Sequence, residues 1–199
     1  ESHAVKATAL RANVGDPAHI DGLFDEIDEM YGRLDVLVSN AATGVIRGFE
    51  ELDLKAWAWT MDANARALFL CAKRAAPMMP SGSRIVALSS AGSQRVLPGY
   101  MLVGASKAAL EALCRYLAVE LAPRGITVNV VAPGVVETDA LRHFPQRDEL
   151  VGEAERKTPA GRLTTPTDVA GVVDFLTSAR ASMITGHRLV VDGGAEALA

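Results

Sequence analysis

Runs of apolar residues alternate with segments of helical periodicity along most of the 199-residue chain. The apolar runs typical of strands cover 5–14, 35–40, 84–89, 126–131 and 188–191. Between them, apolar residues recur every three or four positions, as on the buried face of a helix. These helical segments cover 17–31, 54–76, 100–121 and 166–178. Such alternation is typical of βαβ units and predicts an α/β fold on a parallel sheet.

Local signals set the ends of several elements. Asp16 is a favoured N-cap residue, Pro17 suits the first helical position, and Gly32 ends that helix. Pro77 is predicted to stop the long second helix. The polar stretch 138–165 carries only short helical patterns and is predicted to be a mobile segment that covers the substrate. Its Leu141, Phe144, Leu150 and Leu163 either line an apolar pocket or pack short helices onto the core.

The first part of a dinucleotide-binding fold is not found in this sequence. Such a fold normally begins with a strand, a glycine-rich turn and a helix whose N-terminus holds the pyrophosphate. The glycines of this chain fall elsewhere, and its first residue is Glu1. Either roughly fifty residues are missing from the front, or the protein does not bind a dinucleotide.

Composition narrows the function further. The 199 residues, with 49% hydrophobic and 22% charged residues, are ordinary for one globular domain. A net charge of −4 with scattered basic residues does not favour nucleic-acid binding. Neither a signal peptide nor an apolar run of membrane length is evident, so no membrane role is expected. Four separated histidines predict no metal site. Cys71 and Cys114 lie in apolar helical patterns, which favours free buried thiols and a reducing cytoplasm.

The strongest candidates for chemistry are Tyr100 and Lys107. Seven residues span nearly two helical turns, so both side chains project from one face of the predicted helix. A lysine cation near a phenol is expected to lower the pKa of the phenol and improve proton donation near neutral pH. Most such pairs lie on protein surfaces, but this one opens a helix just after the carboxyl end of a strand, where parallel sheets bind ligands.

Other polar or small residues also follow the ends of strands. They are Asn40 with Ala41 and Ala42, Ser89 with Ser90, and Pro133–Gly134 with Thr138. Asn64 lies in the middle of an apolar helical pattern, where asparagine needs a hydrogen-bond partner. Each of these residues alone is also explained by hydrogen bonds within a turn. Their arrangement at successive strand ends instead predicts one ligand site.

Together these residues resemble the short-chain dehydrogenases/reductases, over essentially the whole chain. The residues that carry the resemblance are Asn13–Val14, Ser39–Ala42, Asn64, Ser89–Ser90, Ser106–Lys107, Pro133–Gly134 with Thr138, and Val191–Gly194. It implies a Rossmann-like doubly wound parallel sheet in a single domain, 1–199, that lacks its first βαβα portion. The family's glycine-rich loop would precede Glu1, so truncation becomes the better explanation, and these 199 residues alone are expected to bind cofactor poorly.

The resemblance also implies roles for individual residues. Lys107 would bond the nicotinamide ribose, Asn64 would hold a water in a proton relay, and Ser90 would assist the proton donor Tyr100. The residues implied in cofactor binding are Asn13, Val14, Asn40, Ala41, Ala42, Ser89, Lys107, Pro133, Gly134, Val136 and Thr138.

One departure from the family pattern is informative. The usual pattern places tyrosine four residues before the lysine, where this chain has Val103. The phenol of Tyr100 instead lies seven residues before Lys107, a spacing that resembles enoyl-acyl-carrier-protein reductases. The segments 100–107, 138–145 and 158–162 resemble the FabL type of these enzymes. Reduction of a conjugated enoyl thioester puts hydride on Cβ and charge on an oxygen two carbons away. A phenol displaced by about 4.5 Å along the helix axis suits that more distant oxygen.

We therefore predict an NADPH-dependent enoyl-acyl-carrier-protein reductase of fatty acid synthesis. NADPH is preferred to NADH through the resemblance alone. Its expected partners are an enoyl thioester on acyl carrier protein or coenzyme A and further copies of the chain, as a homotetramer or homodimer in the cytoplasm. Two alternatives remain: a ketoacyl or carbonyl reductase of the same family, and a catalytically silent binding or scaffold protein.

Overall fold

The computed structural model describes residues 5–136 and 147–198. The predicted cofactor residue Thr138 and the first part of the predicted covering segment lie outside these ranges. The described residues form a sheet of four strands: β1 (Val36–Ser39), β2 (Arg84–Leu88), β3 (Thr127–Pro133) and β4 (Arg188–Val191). The strands are parallel and lie in the order β1-β2-β3-β4. The predicted parallel α/β fold is confirmed.

Helices connect the strands. They are α1 (Pro17–Tyr31), α2 (Leu54–Met61), α3 (Ala67–Ala75), α4 (Met101–Leu121), α5 (Arg147–Lys157) and α6 (Pro166–Thr177). A π-helical turn, Asp62–Arg66, joins α2 to α3, and a short 3₁₀ turn, Ala195–Leu198, follows β4.

Apolar helix faces cover both sides of the sheet. On one side, residues of α1, α3 and α4 pack against Ile85 of β2 and Val128 of β3. On the other side, Leu176 of α6 packs against Val86 of β2 and Val131 of β3. Adjacent residues of one strand therefore enter opposite cores, as period-two side-chain alternation requires. Helices on both faces of a parallel sheet give the predicted doubly wound, Rossmann-like architecture.

The first helix has the ends that its sequence predicts. The Asp16 carboxylate accepts a hydrogen bond of 2.9 Å from the backbone N–H of Ala18, and Pro17 is the first helical residue. Gly32 has a φ of 63° and donates its backbone N–H to the carbonyl of Asp28. The left-handed conformation at that position favours glycine because a Cβ would be strained there.

The predicted strand at 5–14 is wrong. Residues 5–13 have no regular secondary structure, and the described part of the chain places no strand beside them. An apolar run of β-formers becomes a strand only when a neighbour supplies its hydrogen-bond ladder. The second predicted strand is correct in position but less buried than expected. It is the edge strand β1, and its Val36 and Val38 are 38% and 41% exposed.

The long helix predicted over 54–76 is interrupted. The chain is α-helical to Met61, π-helical over Asp62–Arg66, and α-helical again to Ala75. Pro77 lies in a 3₁₀ turn at Ala76–Met78 and ends the helix as predicted. A π turn inserts one extra residue into a helix and is frequent at functional sites.

Both cysteines are free. Cys114 is buried on α4, and burial raises the pKa of its thiol to about 12, whereas Cys71 is half-buried. Among the described helices, none has the combination of length and apolar character that crossing a membrane requires.

Candidate active site

Tyr100 lies at the N-cap of α4, directly before the helix. Its ring packs closely against Gly92, in the segment 89–94 that follows β2. A Cβ at Gly92 would lie 2.5 Å from the ring atoms Cδ1 and Cε1, and a Cβ at Gly104 would lie 2.6 Å from the Gly92 carbonyl oxygen. Two glycines therefore allow α4 and the segment after β2 to approach closely around the phenol.

The expected lowering of the Tyr100 pKa is wrong. Burial raises the pKa of this phenol, and a hydrogen-bonding interaction with Ser90 lowers it only in part. The Ser90 oxygen is buried and has no hydrogen bond of standard geometry among the described residues. Lys107 is not among the causes of the shift. Tyr100 is consequently protonated at neutral pH, the state that a proton donor needs.

Lys107 is a buried cation, with 5% of its surface exposed. Its ammonium donates a hydrogen bond of 2.7 Å to the carbonyl oxygen of Leu88, at the carboxyl end of β2. Burial lowers the pKa of Lys107 to about 8, against the opposing charge of Glu111. An ammonium has three donors, so this arrangement leaves donors for a ligand at the edge of the sheet.

Asn64 has the partners that its position in an apolar helix demands. It lies in the π turn and is 1% exposed. Its Oδ1 accepts a hydrogen bond of 3.0 Å from the N–H of Thr43, and its Nδ2 donates to the Thr43 carbonyl at 2.9 Å and to Ser106 Oγ at 2.8 Å. The side chain therefore ties the loop after β1 to α4, next to Lys107. Its predicted role in a water relay stays a prediction.

Val103 occupies a buried position on α4, where the family pattern has tyrosine. It packs against the backbone of Gly44 in the loop after β1, where a Cβ would collide with the Cγ2 atom of Val103. The loop carrying Gly44 is also joined to the segment before α4 by a hydrogen bond of 3.0 Å from Arg47 N–H to Gly99 O. Position 103 is therefore filled by an aliphatic side chain that packs against the loop after β1.

Four of the predicted cofactor residues meet in one cavity. Asn13, Val14, Ala41 and Ala42 line a recess of about 210 Å³, together with Trp59 and residues of the π turn. Asn40, Ala41 and Ala42 are exposed at the end of β1, and the two alanines have small side chains. These residues share one recess, although the strand predicted at Asn13 and Val14 is absent, and their role in cofactor binding stays a prediction.

The predicted residues after β3 lie against β4. Gly134 donates its N–H to the Val191 carbonyl at 3.0 Å, and Val136 forms an isolated parallel bridge with Thr164. Thr164 Oγ1 donates to the same Val191 carbonyl at 2.9 Å. Leu163 is 8% exposed and lines a cavity of about 230 Å³ together with Thr164 and Val191.

The Ser89 hydroxyl is directed at α4. It donates a hydrogen bond of 2.6 Å to Oε1 of Glu111, a buried carboxylate one turn after Lys107. Any contact between Ser89 and a cofactor therefore stays a prediction. Sequence reasoning missed Glu111, although one signal was available: a carboxylate stands on the apolar stripe of α4 beside Leu110 and Cys114.

A larger open cavity of about 540 Å³ adjoins the other side of Tyr100. Its apolar lining includes Phe49, Leu97 and Met101, and the glycine backbone around the phenol forms part of its wall. The described residues hold no group of three or more histidine, cysteine, aspartate or glutamate side chains suited to a metal ion.

The chain is similar in sequence to known reductases. A family model described as enoyl-(acyl carrier protein) reductase matches residues 1–196. The chain is 40% identical over 189 residues to 1-cyclohexenylcarbonyl-CoA reductase of Streptomyces collinus, covering 94% of this chain and 67% of that protein. It is 34% identical over 191 residues to the enoyl-[acyl-carrier-protein] reductase [NADH] FabI of Synechocystis, covering 94% and 74% of the two chains.

Two further similarities complete the comparison. The chain is 36% identical over 198 residues to the 3-oxoacyl-[acyl-carrier-protein] reductase FabG of Staphylococcus aureus, covering 98% and 79%. A short-chain dehydrogenase from Burkholderia cenocepacia in complex with NADP superimposes with a TM-score of 0.87 at 34% identity, covering 94% and 76%. The chain therefore belongs to the short-chain dehydrogenase/reductase family of oxidoreductases.

Proposed function

We propose that this protein is an NADPH-dependent enoyl-thioester reductase, with acyl carrier protein or coenzyme A as the carrier of the substrate. The observation that carries the proposal is the position of the phenol. Tyr100 lies before the first turn of α4, whereas position 103, one turn further along, holds the buried Val103. The family model and two of the relatives bear names of enoyl reductases or of a cyclohexenylcarbonyl-CoA reductase, which supports the same reaction.

The residues present fit a nicotinamide dinucleotide. Lys107 presents a buried ammonium at the carboxyl end of β2, and the recess at Asn13, Val14, Ala41 and Ala42 suits the adenosine half. When bound, the cofactor supplies the hydride that adds to Cβ of the enoyl thioester. Lys107 would hold the nicotinamide ribose, and Val136, Pro133 and Gly134 would lie along the cofactor beyond it, with Thr138. NADPH rather than NADH rests on resemblance to the FabL type.

Tyr100 supplies the proton in this proposal. Negative charge develops on the thioester oxygen as Cβ is reduced, and a neutral phenol donates a hydrogen bond or proton to it. The raised pKa of Tyr100 keeps that proton in place at neutral pH. Ser90, beside the phenol, assists by orienting it, and the apolar cavity at Phe49, Leu97 and Met101 is of a size that holds an acyl chain.

A ketoacyl reductase is the second candidate, favoured by the similarity to FabG of Staphylococcus aureus. The two reactions require different positions of the proton donor. A ketone carries its oxygen on the carbon that accepts hydride, so its donor must lie close to the nicotinamide. Val103 has no proton to donate, and this counts against ketone reduction at that position.

Substrate choice tests the assignment directly. The protein, expressed with any residues that precede Glu1 in its gene, is expected to oxidise NADPH with crotonyl and dodecenoyl thioesters and to be almost inactive with acetoacetyl thioesters. Oxidation is followed by NADPH absorbance. Preferential reduction of the acetoacetyl thioester would replace the proposal with the ketoacyl one.

Tyr100→Phe tests the role of the phenol. The variant keeps the ring that packs on Gly92 and loses only the hydroxyl, so the fold and NADPH affinity should change little. We expect kcat with crotonyl thioester to fall by roughly 10²- to 10⁴-fold, the range of general acid catalysis. Tyr116→Phe, which removes a hydroxyl from a tyrosine that is 71% exposed on α4, serves as the matched control. Retention of most of the activity by Tyr100→Phe excludes the proton-donor role.

A further inference from the structure

Glu111 is the most heavily bonded side chain near the proposed site. It is 2% exposed and lies one helical turn after Lys107 on α4. Its Oε1 accepts hydrogen bonds from Ser89 Oγ at 2.6 Å, Ser93 Oγ at 2.6 Å and Arg188 Nε at 3.1 Å. Its Oε2 accepts one from Gln94 Nε2 at 2.9 Å.

Three of these donors belong to the segment that directly follows β2. Ser89, Ser93 and Gln94 flank Ser90 and Gly92, the two residues that meet the phenol of Tyr100. A carboxylate that holds a segment at both ends fixes its backbone between those ends, because each charged hydrogen bond is short and strong. The position of the phenol thus depends on a side chain that does not touch it.

The fourth donor anchors the carboxylate to the sheet. Arg188 begins β4, and its Nη1 contacts both carboxylate oxygens of Glu196 at 3.0 Å. Arg95 donates to the backbone carbonyls of Ala195 and Glu196, so the turn after β4 is held to the segment after β2 as well. Glu111 therefore stands where α4, β4 and the segment after β2 meet.

The charge of Glu111 also acts on Lys107. Burial raises the pKa of Glu111, but hydrogen bonds from Ser89, Ser93 and Gln94 and the charge of Arg188 outweigh it, and the net pKa is lowered. The carboxylate is consequently ionised at neutral pH. Its charge raises the pKa of Lys107 against the stronger effect of burial. Other titratable groups of this network are Cys114 on α4, Glu196 beyond Arg188, and Arg95, which donates to the turn after β4, whereas residues 89–94 carry none.

We propose that Glu111 is a positioning residue of the reductase, which holds the segment that seats Tyr100 and places its carboxylate one helical turn after Lys107. This inference rests on the proposed function only through the roles of Tyr100 and Lys107. Its two parts are separable, because Ser93→Ala removes the hydrogen bonds of Ser93 to Glu111 and to the Ser90 carbonyl and retains the charge, whereas Glu111→Gln removes the charge and keeps the size.

The expected results follow from that separation. Glu111→Gln should lower kcat roughly 10- to 100-fold with little change in the KM for NADPH, as a displaced catalytic group does. The basic limb of its pH–rate profile should move to lower pH, since Lys107 loses its proton more readily. Ser93→Ala should lower kcat less and leave the basic limb in place. Glu120→Gln, exposed on the same helix, is the matched control and should behave as wild type.

A second measurement does not depend on the substrate. Reductive ¹³C-methylation followed by NMR titration should give a lower pKa for Lys107 in Glu111→Gln than in wild type. If wild type reduces only ketoacyl thioesters, the enoyl assignment fails, and the same variants are compared with that substrate. An unchanged kcat together with an unchanged Lys107 pKa in Glu111→Gln overturns the inference. A loss of activity that parallels unfolding, with no movement of the basic limb of the pH–rate profile, overturns it as well. If Glu111→Gln does not fold, Ser93→Ala with wild-type kcat overturns it.

Discussion

At the scale of single residues, the site is built from close backbone approaches around one phenol. Gly92 lies under the ring of Tyr100, and Gly104 brings α4 onto the Gly92 carbonyl. Neither glycine needs a left-handed backbone; each is required for space. The ring of Tyr100 is therefore seated on a residue that has no side chain, and a substitution at Gly92 is expected to move the ring.

Gly92→Ala tests this point. The added Cβ would lie 2.5 Å from two ring atoms, so the ring must move, while the backbone of Gly92 accepts alanine without strain. We expect kcat to fall roughly tenfold or more through displacement of the phenol, with a small change in melting temperature. Gly22→Ala is the matched control, because a Cβ at Gly22 meets nothing within 4 Å. Equal kcat values in the two variants would contradict a tightly seated phenol.

At the scale of elements, features with local causes were predictable and features with distant causes were not. The ends of α1 depend on Asp16, Pro17 and Gly32 and agree with the sequence. The apolar run at 5–14 failed as a strand because a strand depends on its neighbour. The π turn at Asn64 could not be predicted for the same reason, since Thr43 and Ser106, the hydrogen-bond partners of Asn64, are distant in sequence.

The π turn leads to a prediction about the loop after β1. Asn64→Ala would leave both backbone groups of Thr43 without their partner, at a cost of about 1–3 kcal/mol for buried polar groups. We expect a lower melting temperature and, because the loop ties to α4 beside Lys107, a lower kcat at temperatures where the variant is folded.

Asp53→Ala separates these two effects. It removes the N-cap hydrogen bond of 2.7 Å to Ala56, which should cost about 1 kcal/mol, and it leaves Thr43 untouched. Urea unfolding and turnover are measured for both variants. A similar loss of kcat in Asp53→Ala would mean that general destabilisation, rather than the Thr43 loop, limits the rate.

At the scale of the whole molecule, the site contains a buried charge that lowers the stability of the fold. The sequence placed Tyr100, Lys107 and Asn64 at one edge of the sheet, but it did not place the carboxylate network behind them. Lys107 is a buried cation whose pKa falls to about 8, because burial disfavours its charge. The folded state therefore carries a charge that the unfolded state would solvate freely.

The pH dependence of the stability of Lys107→Met should reveal the free-energy cost of burying this charge. In the unfolded chain this lysine holds its proton up to about pH 10.4, whereas in the folded protein it loses it near pH 8. The unfolded state thus binds more protons between these values, and wild-type stability gains up to about 3 kcal/mol from this group as pH rises. Below pH 8 the penalty is fully present.

The stability of Lys107→Met relative to wild type should therefore be highest near pH 7 and should fall as pH rises toward 10. The methionine also leaves the Leu88 carbonyl and Glu111 without the ammonium. This loss lowers the stability of Lys107→Met by the same amount at each pH, so the slope of the stability difference against pH does not change. Urea unfolding at pH 7 and pH 9.5 measures the slope, with Lys73→Met, exposed on α3, as the matched control that removes a lysine without removing a buried charge. A difference that stays constant across this range would mean that Lys107 keeps an ordinary pKa and that its burial carries no electrostatic cost.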